Sequence, residues 1–187
     1  MLQVGLLRFI GRTRQLEQKL EESRSRLWRL AYSWCHNRAV ADDLVQETYA
    51  KALDRHAQLR DQDALNGWLC AILANCWHDH LRRRKDMADI DEVDENTFVE
   101  ECCPEDTCLQ NEIVWNVRQA VARLPAGQRE VVTLVDLEEF SYAEVAAVLE
   151  IPIGTVMSRL SRARGALREA LKAQQPATSA VVRRIRG

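Results

Sequence analysis

Between Asp86 and Glu112 the chain carries 11 acidic side chains and no Lys or Arg. Dense like charge with few large apolar residues cannot bury enough surface to offset the entropy of ordering, so this stretch reads as an extended or disordered linker. It divides the 187 residues into two blocks and leaves both of them basic, although the net charge is -2. Residues 1–85 hold 15 basic against 10 acidic side chains, and residues 113–187 hold 11 against 7. Two basic blocks around an acidic bridge suit a pair of nucleic-acid-binding domains that move relative to one another.

Only 7 Gly and 4 Pro occur in the whole chain, and no stretch keeps a period-two alternation, so the fold class is all-α. The expected organisation is an N-terminal extension over 1–19, a helical domain over 20–85, the linker over 86–112, a second helical domain over 113–172 and a frayed tail over 173–187. In the first domain, Leu27, Leu30, Ala31 and Trp34 follow the spacing of one helix face, and His36-Asn37 makes a break. A second helix turns Leu44, Val45, Thr48, Tyr49 and Ala52 inward and leaves Asp42, Asp43, Gln46, Glu47 and Lys51 on a mostly acidic outer face. Residues 54–67 read as a loop. A third helix begins near Trp68, with Leu69, Ile72, Leu73, Cys76 and His80 as its core face and Ala71, Asn75, His78 and Arg82 opposite. It ends in Arg82-Arg83-Arg84-Lys85, cations that complement the helix dipole and also make a phosphate-binding surface.

In the second domain one helix carries Ile113, Val117, Ala120, Val121 and Leu124 on a single face, and the next carries Val131, Val132, Leu134 and Val135. Ser141-Tyr142-Ala143-Glu144 has the form of a capping box. The helix it opens buries Val145, Ala146 and Leu149; after a short turn through Pro152, a longer helix follows with Val156, Leu160, Ala163, Leu167 and Leu171 inward. Helix, tight turn and longer helix make a helix-turn-helix. Thr155, Ser158 and Arg162 then project opposite the core stripe with Arg159 on its flank, short hydroxyls and guanidinium groups of the kind that meet phosphates and base edges in a major groove.

The apolar runs are too short to cross a bilayer, which takes roughly 20 residues, and Gly5 and Arg8 interrupt the apolar start without a cleavage site, so no secretory signal is expected. No two of the six cysteines form a CxxC pair; Cys35, Cys70 and Cys76 fall in helical patterns as small core residues, and a reducing cytoplasm is the expected location. Cys102, Cys103 and Cys108 lie in the acidic bridge, where neighbouring carboxylates discourage thiolate formation. Cys76 and His80 share a helix face while His78 points away, which argues against a metal site. The tryptophans read as packing residues, with Trp34 and Trp68 the core members. No Gly-rich phosphate loop, nucleophile elbow or supported carboxylate pair occurs, so neither an enzyme nor a cofactor is expected.

Two motif blocks carry a resemblance. ADDLVQETYAKAL followed by NGWLCAILANCWHDHLRRRKD resembles the second conserved region of bacterial sigma factors of the extracytoplasmic-function (ECF) group, and LPAGQREVVTLVDLEEFSYAEVAAVLEIPIGTVMSRLSRARGAL resembles their fourth. The resemblance implies a promoter-specificity subunit of RNA polymerase, acting by binding and held inactive by an anti-sigma factor, in the cytoplasm or at the inner membrane through that partner. It places Asp43, Leu44, Gln46 and Glu47 on the helix that docks on core polymerase. It assigns opened minus-ten DNA to Arg60, Asp61, Gln62 and Asp63, where one base flips into the loop, and to Asn75, His78, Arg82, Arg83 and Arg84. Thr155, Ser158, Arg159 and Arg162 would read the minus-thirty-five element as duplex, and the acidic bridge would lie in the polymerase channels. Two other readings stay open: a sigma-like decoy that sequesters an anti-sigma factor without binding promoters, and a stand-alone helix-turn-helix repressor. Residues 1–19 and the Cys102, Cys103, Cys108 cluster have no counterpart in the resemblance.

Overall fold

The computed structural model describes residues 2–55, 59, 64–88 and 110–174, with side chains over 18–55, 59, 64–84 and 114–173. The expectations for the loop residues 60–63, for most of the acidic bridge with Cys102, Cys103 and Cys108, and for the tail beyond 174 lie outside the described residues.

Seven helices and no strand are found among the described residues: α1 (Leu2–Cys35), α2 (Arg38–Asp54), α3 (Leu65–Ala88), α4 (Gln110–Ala122), α5 (Ala126–Asp136), α6 (Tyr142–Val148) and α7 (Ile153–Gln174). The break expected at His36-Asn37 has a clear local cause. His36 takes φ 49 at the end of α1, and the Asn37 side chain accepts the Val40 amide at 3.1 Å as the N-cap of α2. Leu20, Leu27, Leu30, Ala31 and Trp34 of α1 are buried, as are Ala41, Leu44, Val45, Thr48 and Ala52 of α2. The first helix extends well beyond its expected start, because the 1–19 segment continues into it without a break from Leu2.

In the second block α4, α5 and α6 all pack on α7. The Val117 side chain, expected inward, is exposed together with Val114 and Trp115; the inward residues of α4 are Ala120 and Ala122, with Leu124 just beyond its end. The capping box forms as expected: the Ser141 hydroxyl accepts the Glu144 amide at 3.3 Å and the Glu144 carboxylate accepts the Ser141 amide at 2.8 Å. The Ser141 hydroxyl, which also donates to that carboxylate at 2.6 Å, and the Ser141 amide hold the Glu144 carboxyl below its usual range.

The two blocks do not stand apart. Buried residues of both belong to one contiguous core, with α1 against α4 and α5 and α3 against α6. In this structure the two helical blocks on either side of the acidic linker pack on one another in a closed arrangement. Its seam explains two patterns that a single apolar stripe does not. In α5 the six consecutive residues from Arg129 to Leu134 are all buried, which requires neighbours on every side, and in α3 Cys70, Ala74 and Trp77 are buried beside the expected Leu69, Ile72, Leu73 and Cys76. His80, expected on that core face, is only half-buried and stacks on Trp77 with ring centroids 5.7 Å apart.

Polar side chains at the seam are paired, as burial demands. The Trp34 indole donates to the Thr133 hydroxyl at 2.8 Å. Arg129 donates to the carbonyls of Ala122 and Leu124, each at 2.8 Å, and to that of Trp34. Its guanidinium thus joins the C-terminal ends of α1 and α4, where helix dipoles place partial negative charge. Burial lowers its pKa to about 10, which still leaves it charged at neutral pH. At the rim Arg26 pairs with Glu138 and lies over the Phe140 ring at 5.8 Å from the centroid.

Candidate nucleic-acid interface

The turn between α6 and α7 sets the direction of the outward helix. Leu149 closes α6 by donating to the Val145 carbonyl, Glu150 takes φ 54, and the Ile151 amide returns to the Ala146 carbonyl at 3.1 Å. Pro152 supplies no amide donor and its carbonyl accepts the Thr155 amide at 2.8 Å, which starts α7 at once. Val156, Leu160 and Ala163 are then buried with Leu167 packed beside them. Ser158 and Arg162 are exposed on the other side, while Thr155 and Arg159 are half-buried. Ser158 donates to the Thr155 carbonyl at 3.0 Å, a local bond that an exposed hydroxyl exchanges readily for a phosphate oxygen. Arg159 lies along α5: a Cβ built on Gly127 would sit 2.8 Å from its guanidinium.

On α3, Asn75, Arg82, Arg83 and Arg84 are exposed. Arg82 pairs with Asp79, and Arg83 lies 3.6 Å from Glu47 of α2. Lys51 completes this surface network, 2.8 Å from Glu47 and 3.6 Å from Asp79. Such exposed pairs contribute about 0–1 kcal/mol each, so these cations can be surrendered to a polyanion at little cost. His78 differs. Its imidazole nitrogen sits 3.2 Å from the Glu130 carboxylate of α5, and that hydrogen bond raises its pKa against the effects of burial and of the Arg82 and Arg159 charges. Glu130 is 3% exposed and also accepts the Trp77 indole N–H at 2.9 Å.

Of the acidic face expected on α2, Asp43 and Gln46 are exposed and Glu47 is half-buried. Leu44 is a core residue at 2% exposure and packs inward in this structure. Asp42 is tied to α1 by the Trp28 indole at 2.8 Å. Arg60, Asp61, Gln62 and Asp63 lie outside the described residues. Burial pushes the Cys35 thiol up to about 11 and the Cys70 thiol up to about 12, and raises that of Cys76 beside Thr48, so these are packing groups at neutral pH. Trp34 and Trp77 are the buried tryptophans; Trp28 and Trp68 pack against the core and Trp115 is exposed. Sequence reasoning missed Glu130, Thr133 and Trp77 as partners. The available signal was a carboxylate at the head of the apolar run Val131-Val132-Thr133-Leu134, which burial obliges to find donors.

A capped helix-turn-helix joined to a helical block that ends in consecutive arginines defines a nucleic-acid-binding protein of the transcription class. Family models agree: residues 20–86 match Sigma-70 region 2 and residues 115–167 match Sigma-70, region 4. The chain is 33% identical over 152 residues to the RNA polymerase sigma-H factor of Pseudomonas aeruginosa, covering 76% of this chain and 79% of that protein. It is 34% identical to the ECF RNA polymerase sigma-E factor of Escherichia coli K12, over 67% of this chain and 70% of the relative. Among solved structures, the sigma factor RpoE in complex with the anti-sigma factor NepR from Bartonella quintana matches with a TM-score of 0.71 and 30% identity, over 86% of this chain and 99% of the other. The chain belongs to the ECF sigma factors of bacterial RNA polymerase, the subunits that direct the polymerase to promoters.

Proposed function

We propose that this sigma factor reads its promoter with two separate surfaces. Residues 113–172 bind the minus-thirty-five element as duplex through Thr155, Ser158, Arg159 and Arg162, and residues 20–85 hold the opened minus-ten element. In the second surface, Asn75 and His78 face the bases and Arg82, Arg83 and Arg84 the backbone, together with the loop Arg60, Asp61, Gln62 and Asp63. Asp43, Gln46 and Glu47 dock on core polymerase from a helix that Leu44 anchors. The protein works by binding, without covalent catalysis or a cofactor. It acts in the cytoplasm, where an anti-sigma factor masks it, and any attachment to the inner membrane is made through that partner. No helix among the described residues is long and apolar enough to cross a membrane.

The observation that carries this reading is the capped turn of α6 and α7, which exposes Ser158 and Arg162 on a helix whose opposite face is buried. Its test is run-off transcription on fragmented genomic DNA from the source, with purified core polymerase alone and with the protein added. New, discrete transcripts sharing two upstream elements are the expected result. Transcripts unchanged by the protein, together with tight binding to an anti-sigma factor, would replace promoter recognition with the decoy role.

A further inference from the structure

Glu130 is the least expected charge in the molecule: a carboxylate at 3% exposure in the middle of the seam. Both of its oxygens are used, and both partners come from α3 of the other block. Oε1 accepts the Trp77 indole N–H at 2.9 Å and Oε2 lies 3.2 Å from Nε2 of His78. A buried carboxylate is tolerated only where such donors meet it, so separating the blocks exchanges these bonds for water on both sides at once.

The bond also has a functional address. His78 belongs to the outward stripe of α3 that the proposed function assigns to the minus-ten strand, and here that position is filled by a carboxylate, the anion that most nearly stands in for a phosphate or an acceptor on a base. Arg159, assigned to the minus-thirty-five element, is turned back along α5 at Gly127, three positions before Glu130, and its charge reaches His78. Elements some 25 positions apart are separated by about 85 Å of straight duplex at 3.4 Å per base pair. A chain whose two reading surfaces are both turned onto α5 cannot occupy both elements.

We propose that Glu130 is an internal latch: by binding Trp77 and His78 it holds the two blocks closed and occupies the minus-ten surface until polymerase and promoter draw them apart. The inference rests on the proposed promoter reading for the meaning of His78 and Arg159, and on the seam alone for closure. Because polymerase binding draws the blocks apart, the equilibrium between closed and open forms scales the apparent affinity for polymerase.

The test uses the full chain with Glu130→Gln and, from the opposite side of the seam, Trp77→Phe, which keeps an aromatic ring and removes the N–H. Far-UV circular dichroism first checks that helix content is retained. Small-angle scattering then measures the radius of gyration, and titration with core polymerase measures Kd. Both variants are expected to enlarge the radius of gyration and to bind polymerase about fivefold more tightly or better. The double variant should add little to either single one, since the two substitutions weaken the same three-residue cluster of Glu130, Trp77 and His78. Helical variants with the wild-type radius and Kd would overturn the latch. Opening of the variants with no promoter-specific transcripts from the wild type would leave the latch and remove the promoter reading. Transcripts from the wild type with variants that stay closed would do the reverse.

Discussion

The Trp34 indole and the Thr133 hydroxyl, 99 positions apart in sequence, meet at 2.8 Å with both residues essentially free of solvent. Thr133 can accept this bond because its own proton goes back to its helix, to the Arg129 carbonyl at 2.8 Å or that of Glu130 at 3.0 Å. One hydroxyl thereby satisfies a donor in the other block without leaving α5. Thr133→Val keeps the shape and removes the acceptor, leaving the indole N–H buried and unpaired. Urea denaturation should show a loss of about 1–3 kcal/mol, and Thr133→Ser should recover most of it.

Arg129 spans three carbonyls that end two helices. Arg129→Met fills similar volume with no donor and should cost on the order of 3 kcal/mol, since several charge-assisted bonds to buried carbonyls are lost together. Arg129→Lys should restore little, because a single ammonium lacks the planar fork that reaches carbonyls on both helices. Thermal unfolding of the two variants side by side measures this.

Acid should act on two histidines in opposite senses. The raised pKa of His78 means that its bond to Glu130 contributes fully below the unfolded value near 6.5 and fades as pH rises through the folded value. Burial, helped by the Arg129 charge, lowers the His36 pKa to about 4, so its neutral form favours folding above pH 6.5 and that contribution is lost as pH falls toward 4. Between pH 7.5 and 5, His36→Gln should therefore lose less stability than the wild type, by about 1 kcal/mol after discounting its solvated edge. His78→Gln should lose more. Denaturant midpoints at the two pH values give both signs.

Glu150 holds φ 54 in the turn of the helix-turn-helix, a left-handed conformation that costs a side chain about 1 kcal/mol and glycine almost nothing. Glu150→Gly should raise the midpoint of thermal unfolding by a few degrees and leave DNA affinity unchanged, apart from the small gain expected from removing one negative charge.

Arg162 is exposed on the outward side of α7. Arg162→Ala should weaken binding to a minus-thirty-five duplex by about 1–3 kcal/mol if the guanidinium pairs with a base edge, and relax the sequence preference at that position. Competition binding with a series of single-base variants of the duplex measures both.

The turn chemistry was legible residue by residue. Ser141 with Glu144, the break at Asn37 and the stripe Val156, Leu160 and Ala163 are local matters, decided by bonds and periodicity within a few positions. So was the outward placing of Ser158 and Arg162, which follows from 100° per residue once the buried stripe is known. The charge pattern also marked out two blocks, and the family models match residues 20–86 and 115–167.

What the sequence could not decide is which second face of a helix would find a neighbour. Trp77 and Glu130 each lie beside an apolar stripe, and each could equally have faced water; only the docking of α3 and α1 on the second block turned them inward and made them partners. Periodicity reports the preference of one helix for one buried side. Burial on a second side is a property of the contact between elements far apart in the chain, and the hydrogen bonds that make it tolerable come into being only when that contact forms.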